Sequence, residues 1–363
     1  MAGLFSYTGE KLGMTDKTLK EVNAPADANA VGEAFGRIGR NCKIIAHRGY
    51  HVSAAQNTIA AFEAAAEAGF TWIEIDIRRT ADGRYIMSHD NAVTMYNNGS
   101  AVSVNIGNAN YSAIKGYTWD KAGQYKLCTL QAVFNAMKLY DMKMICDLKS
   151  GSNAEVMEVA AMCGAVDRVM LTYWSGDIDL MKKYDAVPVR IYPSSFETIL
   201  TLQEQTVNPL YADMNVQGTD NVHMQNALAA GIPIIFSGCT LDNKAKWCVL
   251  ASGCMANLNL NITYEQFVEA LDVDYDVAAT ITLSAQSVSI ASGASATLTA
   301  ASDVSTPGGY VYGYTLDPRV ATVMQTQFGA SAGFTVNGVA AGSTVLRLFT
   351  GSGEIVDILV TVS

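Results

Sequence analysis

Two histidines, His47 and His89, and three acids, Glu74, Asp76 and Asp147, stand at or near the ends of apolar runs in this 363-residue chain, with Arg48 and Lys149 beside them. Three carboxylates converging on one point form a hard, all-oxygen site suited to one divalent cation, Mg2+ or Ca2+, rather than to a metal held by nitrogen or sulfur. Glu74 and Asp76 lie two residues apart. On a strand they share a face, where they repel unless a cation or a shared proton lies between them. Histidine is the side chain suited to proton transfer near neutral pH, so this set is equipped for metal-assisted acid–base chemistry.

The local pattern accounts for the convergence. Lys43 to Ala46 is an apolar run too short for a helix, and it opens into the loop His47-Arg48-Gly49. Asn57-Thr58 caps a helical pattern of Ile59, Phe62, Ala65 and Ala66 that Gly69 ends. Trp72 to Ile77 alternates with period two, placing Ile73, Ile75 and Ile77 on the face opposite the acids. Asp82-Gly83 is a tight-turn signal, and the few residues before the next strand, Arg84 to His89, allow an antiparallel hairpin but no parallel crossover. A turn centred between Ala81 and Asp82 sets His89 opposite Glu74; one centred on Asp82-Gly83 sets it opposite Asp76. Either register carries His89 to the acidic pair.

The ordered set His47-Arg48-Gly49, Asn57-Thr58, Glu74-x-Asp76 and His89-Asp90 resembles the glycerophosphodiester phosphodiesterases, and the likeness continues to roughly residue 260. The resemblance implies a TIM barrel with Glu74, Asp76 and Asp147 as metal ligands, His47 and His89 as the acid–base pair, and Arg48 and Lys149 as clamps on the phosphate oxygens. It also implies attack by the neighbouring hydroxyl of the substrate, giving a cyclic phosphate that water later opens. Asn57 is expected to orient the His47 loop. The family usually has Glu where this chain has Asp147 and Gln56, and its late Trp-Thr and Thr-Asp motifs are replaced by Phe236 to Thr240 and Asn257 to Asn261. These departures bear on substrate and efficiency. His51 fits no position of the pattern, His223 reads as structural, and Tyr173, Trp174 and Tyr192 follow strands where they could wall a glycerol or sugar pocket.

The chain exceeds the usual size of one hydrophobic core, and half of it is apolar. A formal net charge of −10 without a basic cluster argues against a nucleic-acid partner. The seven cysteines are odd in number and have no CxxC spacing, so they read as buried thiols made in a reducing compartment. No apolar run is long enough to span a membrane, and no signal-peptide pattern opens the chain. The expectation is synthesis in the cytoplasm with no membrane span, and display on a virion as one route out.

Eight strand-like runs recur between Lys43 and Leu260 with helical patterns between them, the signature of a (β/α)8 barrel with its site at the C-terminal strand ends. Residues 1–40 read as an arm with a helix starting near Pro25; DANAVGEAFGRI resembles segments of phage tail and baseplate proteins. Near Val277 the composition turns to Ser, Thr, Ala, Gly and Val in short alternating runs, which predicts an all-β sandwich over residues 277–363. TLDPRVATV and NGVAAGSTVLRL resemble bacterial Ig-like domains. The expected organisation is an arm (1–40), a barrel (41–276) and a separable Ig-like module (277–363). The expected function is a metal-dependent phosphodiesterase acting on a glycerol-phosphate ester or on teichoic acid, in a phage particle or a homo-oligomer; the alternative is a catalytically weak, cell-wall-binding tail protein.

Overall fold

The computed structural model describes residues 43–243 apart from 53, 193–194 and 216–221, together with 255–258, 266 and 278–363. The arm, its helix and the boundary near Val277 lie outside the described residues.

The first unit is a nine-stranded sheet. Its parallel strands are β1 (Lys43–His47), β2 (Trp72–Arg79), β6 (Lys143–Leu148), β7 (Val169–Thr172), β8 (Val189–Ile191), β9 (Leu210–Asn215), β10 (Ile234–Cys239) and β11 (Met255–Leu258). β1 pairs with β2 on one side and β11 on the other, so the eight parallel strands curl into a ring of the TIM-barrel kind. Helices return the chain between them: α1 (Ile59–Glu67), α2 (Leu130–Leu139), α3 (Asn153–Cys163), α4 (Ile178–Lys183), α5 (Phe196–Gln205) and α6 (Val222–Ala229). Thr58 caps α1 by accepting from the Ala61 N–H, and Gly69 follows it at φ 95°.

Strand alternation sorts the side chains into two layers inside the ring. Ile45, Trp72, Ile145, Met170 and Ile235 form an inner apolar cluster, with Tyr211 against it. Two residues further along the same six strands stand His47, Glu74, Asp147, Thr172, Ser237 and Asp213. The apolar layer plugs the barrel, and the polar layer above it forms the mouth. Ile73, Ile75 and Ile77 face outward into the main core with Phe62, Phe134 and Met144.

The hairpin partner of β2 is β3 (Tyr85–Met87), paired Ile77 with Met87 and Arg79 with Tyr85. This register falls midway between the two expected from the turn, and continued past the last pair it would bring His89 level with Ile75. Beyond β3, a second hairpin, β4 (Ala92–Asn97) with β5 (Ser100–Asn105), builds a small lobe around Met95, Val104, Ile106, Ile114 and Leu127. A usable sequence signal existed: Val93 and Met95 alternate on one side, and Val102 and Val104 on the other, of the two-residue turn Asn98-Gly99, whose residues both have positive φ.

The β-rich C-terminal region has two four-stranded sheets, in the orders β12-β14-β17-β16 and β13-β19-β18-β15. Their strands are β12 (Ile281–Leu283), β13 (Ser287–Ile290), β14 (Ser295–Ser302), β15 (Val311–Thr315), β16 (Ala321–Gln327), β17 (Ser331–Gly338), β18 (Gly342–Thr350) and β19 (Ile355–Val362). The four-residue β13 and the Gln- and Thr-rich end of β16 escaped the composition reading. Leu298, Phe334, Val336, Leu346 and Ile358 centre a core of their own.

This region also docks on the barrel. Tyr312 on β15 is buried in the barrel's main cluster, with Tyr310, Phe328 and Phe349 packed against it. The Gln225 side chain of α6 pairs with the outer edge of β15, donating to the Gly313 carbonyl at 2.9 Å and accepting from the Thr315 N–H at 3.3 Å. An amide side chain thus caps a strand edge as another strand would.

Gln225→Ala leaves a buried donor and acceptor without partners. It is expected to cost about 1–3 kcal/mol, read as a lowered midpoint of urea denaturation. A Gln225→Glu change, which cannot donate to Gly313 when ionised, should be at least as damaging.

Candidate active site

The loop after β1 begins with strained backbone. Arg48 (φ 58°), Gly49 (φ 83°) and Asn57 (φ 57°) all occupy the left-handed region. A Cβ at Gly49 would come within 2.8 Å of Ala61 C and Phe62 Cδ1, so only glycine lets the loop lie against α1. Asn57 is buried and clamps Asp76 twice: its Nδ2 donates to Asp76 Oδ2 at 2.8 Å, and its Oδ1 accepts from the Asp76 N–H at 3.2 Å. Asn57 N–H also donates to the Arg48 carbonyl at 3.0 Å.

Around this clamp the acids and cations interleave. The carboxylates of Glu74, Asp76 and Asp147 each place an oxygen within 4.8 Å of the others. Asp76 and Asp147 are lateral partners across β2 and β6, and His47 is paired with Glu74 across β1 and β2. Arg48 Nε lies 3.0 Å from Asp76 Oδ2, its Nη1 donates to Gln56 Oε1 at 2.9 Å, and its backbone N–H donates to Glu74 Oε2 at 3.2 Å. Lys149 Nζ bridges Asp76 Oδ1 (3.2 Å) and Asp147 Oδ2 (3.1 Å). Six of the seven residues expected from sequence therefore share one network.

His89 is more peripheral. Its Nδ1 lies 2.9 Å from Asp90 Oδ1, and its carbonyl accepts from Arg78 Nε and Nη2 at 2.9 and 2.7 Å. The neighbouring Ser88 N–H donates to the Asp76 carbonyl at 3.0 Å, tethering this segment to β2.

Two charged residues join the network that the sequence reading had not singled out. Arg190 on β8 reaches Asp147 Oδ2 at 2.8 Å and Asp213 Oδ2 at 3.1 Å, and Ser237 Oγ donates to Asp213 Oδ1 at 2.7 Å. A usable signal existed: Asp213 follows Tyr211 by two in a strand buried on both faces, and Arg190 lies in the middle of one, so neither could face solvent.

Burial and charge set the protonation states. Burial raises Glu74 well above the carboxylate range, and Asp76 and Asp147 push it further. Burial alone would raise Asp147, but Arg190 and Lys149 outweigh it and hold the group low. Burial raises Asp213 against the pull of Arg190. His47 is lowered to about 4 by burial and then by Arg48, so its imidazole is neutral at physiological pH.

These residues fit a divalent cation. Four carboxylates, Glu74, Asp76, Asp147 and Asp213, face three cations, Arg48, Lys149 and Arg190, and the side chains of these cations pair with the three aspartates and not with Glu74. Two added positive charges would favour ionised Glu74 and complete an all-oxygen donor set.

The glycerophosphoryl diester phosphodiesterase family model matches residues 47–272, more than half of the chain. The chain belongs to this family. A glycerophosphodiester phosphodiesterase of Caldanaerobacter subterraneus is 45% identical over 56 residues, 15% of this chain and 23% of that protein, so the match spans less than a quarter of the relative's length. A Mycobacterium tuberculosis relative bearing the name glycerophosphodiester phosphodiesterase 2 is 28% identical over 199 residues, 53% of this chain and 71% of its own. The crystal structure of a glycerophosphodiester phosphodiesterase from Parabacteroides distasonis superposes with a TM-score of 0.52 at 19% identity, covering 63% of this chain and 98% of that one, a likeness of fold. Among the described residues, no helix is long and apolar enough to cross a membrane, and Cys128, Cys146 and Cys163 are buried free thiols.

A cation takes Glu74 in its ionised form, whereas burial and the neighbouring Asp76 and Asp147 favour its protonated form, so the two compete. Divalent-cation affinity is therefore expected to rise with pH, with proton release visible by calorimetry in buffers of different ionisation enthalpy. The sign for stability follows: a carboxyl raised in the folded state stabilises the metal-free protein below its unfolded pKa, and that contribution is lost as pH rises through the folded value. In chelator, Glu74→Gln should weaken the fall in stability at rising pH.

Proposed function

We propose that this protein is a metal-dependent phosphodiesterase that cleaves glycerophosphodiester bonds, with teichoic acid as a polymeric substrate. The observation that carries this reading is the buried cluster of Glu74, Asp76 and Asp147, interleaved with Arg48 and Lys149, beside a neutral His47. Glu74, Asp76 and Asp147 would hold the cation, which when bound would supply fixed positive charge to polarise a phosphoryl oxygen and favour ionisation of a nearby hydroxyl.

The chain's own groups supply the rest. Arg48 and Lys149 receive the phosphodiester oxygens once the substrate competes for them with Asp76 and Asp147. His47, neutral and 3.7 Å from Glu74 Oε2 through Nε2, takes the proton of the attacking glycerol hydroxyl. The new P–O bond closes a cyclic phosphate as the bond to the leaving alcohol breaks. His89 gives that alcohol its proton: Asp90 engages Nδ1, which leaves Nε2 for the leaving group. Water then opens the cyclic ester with the two histidines in exchanged roles. Trp174 and Tyr192, both about half exposed at the ends of β7 and β8, wall the mouth where the alcohol leaves. The Ig-like reading of the C-terminal region, as an attachment module on a virion, rests on the sequence resemblances alone.

The test is release of glycerol 3-phosphate from small glycerophosphodiesters and from teichoic acid, with and without chelator. Activity should require the divalent cation. His47→Ala and His89→Ala should each lower turnover by roughly 10²-fold or more while substrate affinity stays within a few-fold. Binding of the polymer with no release under any divalent cation would make the protein a cell-wall-binding module instead.

A further inference from the structure

The barrel interior holds an ion pair that these proton transfers do not use. Arg190 is 2% exposed, and its two terminal nitrogens divide between Asp147 and Asp213. Its Nε donates to Thr172 Oγ1 at 3.0 Å, and that hydroxyl donates to the Cys146 carbonyl at 3.0 Å, one residue before Asp147. The Tyr192 ring lies 5.6 Å from the guanidinium carbon, and Ser237 fixes Asp213 from β10. The guanidinium thus has a polar neighbour on each nitrogen, from β6, β7 and β9, while β10 acts only through Asp213, and its orientation is set before anything binds. Both cations that touch Asp147, Arg190 and Lys149, do so through Oδ2.

We propose that Arg190, held by Asp213, is a positioning residue that fixes the Asp147 carboxylate in the acidic cluster and thereby sets the cation affinity of the site. This rests on the cation reading of that cluster. Groups that hold a ligand carboxylate are worth about 10–100-fold in metal affinity. The opposite role is also physically available: a guanidinium on Asp147 repels a cation and competes for the oxygen. The two roles differ in sign. Arg190→Met/Asp213→Asn removes one positive and one negative charge together, so the net charge of the site is unchanged and only the hold on Asp147 is lost. Arg190→Lys keeps the charge but cannot span both carboxylates with a rigid fork.

The experiment titrates Mg2+ and, in parallel, Ca2+ into metal-free full-length wild type, Arg190→Met/Asp213→Asn and Arg190→Lys by calorimetry, with circular-dichroism melting in chelator as the folding control. Wild type should bind, the double variant should bind about 10–100-fold more weakly, and Arg190→Lys should weaken in the same direction. Affinity equal to or tighter than wild type in either folded variant overturns the proposal. If the double variant does not fold, Arg190→Lys decides alone. Wild type that binds neither Mg2+ nor Ca2+ overturns the cation reading and this proposal together, whereas normal wild-type binding with unchanged variants overturns only the role of Arg190.

Discussion

Like charge confined in a barrel is the constraint on which the rest of this structure depends. Four carboxylates and three cations stand in or next to one polar layer, and neither set could be buried without the other. The solution is interleaving. Lys149 lies between Asp76 and Asp147, Arg190 between Asp147 and Asp213, and Arg48 with Asn57 covers the remaining oxygen of Asp76. Glu74 has one N–H donor and a neutral histidine beside it, and its raised pKa marks the charge that this arrangement leaves unbalanced.

The fold builds that layer by simple geometry. Parallel strands buried on both faces give each strand one outward apolar series and one inward series. The inward series changes character partway along, from Ile45, Trp72, Ile145, Met170 and Ile235 to His47, Glu74, Asp147, Thr172 and Ser237. A dry plug beneath a charged layer strengthens every ion pair above it, because water cannot enter from below. The left-handed backbone at Arg48, Gly49 and Asn57 turns the first loop back over the layer, and the polar contacts of Asn57 hold that strained path in place.

The C-terminal region is neither a free appendage nor a source of site residues among those described. It has its own core, yet Tyr312 is buried with the barrel's residues and Gln225 caps the edge of β15. Shared apolar burial and the Gln225 side-chain bonds to β15 fix how the two units meet on the α6 side. A module docked in this way presents its surface at a set position relative to the barrel.

The sequence by itself determined the parts governed by local periodicity and short spacing. The eight strand runs, the Thr58 cap, the turn at Asp82-Gly83 and the acids of β2 could all be read from neighbours a few residues away. So could the face shared by Asp147 and Lys149, which is a period-two statement. What only the tertiary structure decided is what depends on lateral neighbours far apart in the chain. Arg190 meets Asp147 across 43 positions because β6 and β8 flank β7 in the curled sheet, so their inward side chains converge over it. The β2–β3 register was settled by pairing across the turn, between the two alternatives that turn chemistry allowed. The docking of β15 on α6 joins Gln225 to Gly313, residues 88 apart, through a side chain that composition reads as an ordinary polar position. Periodicity fixes which face a residue occupies; only the closed packing of strands and helices fixes what that face meets.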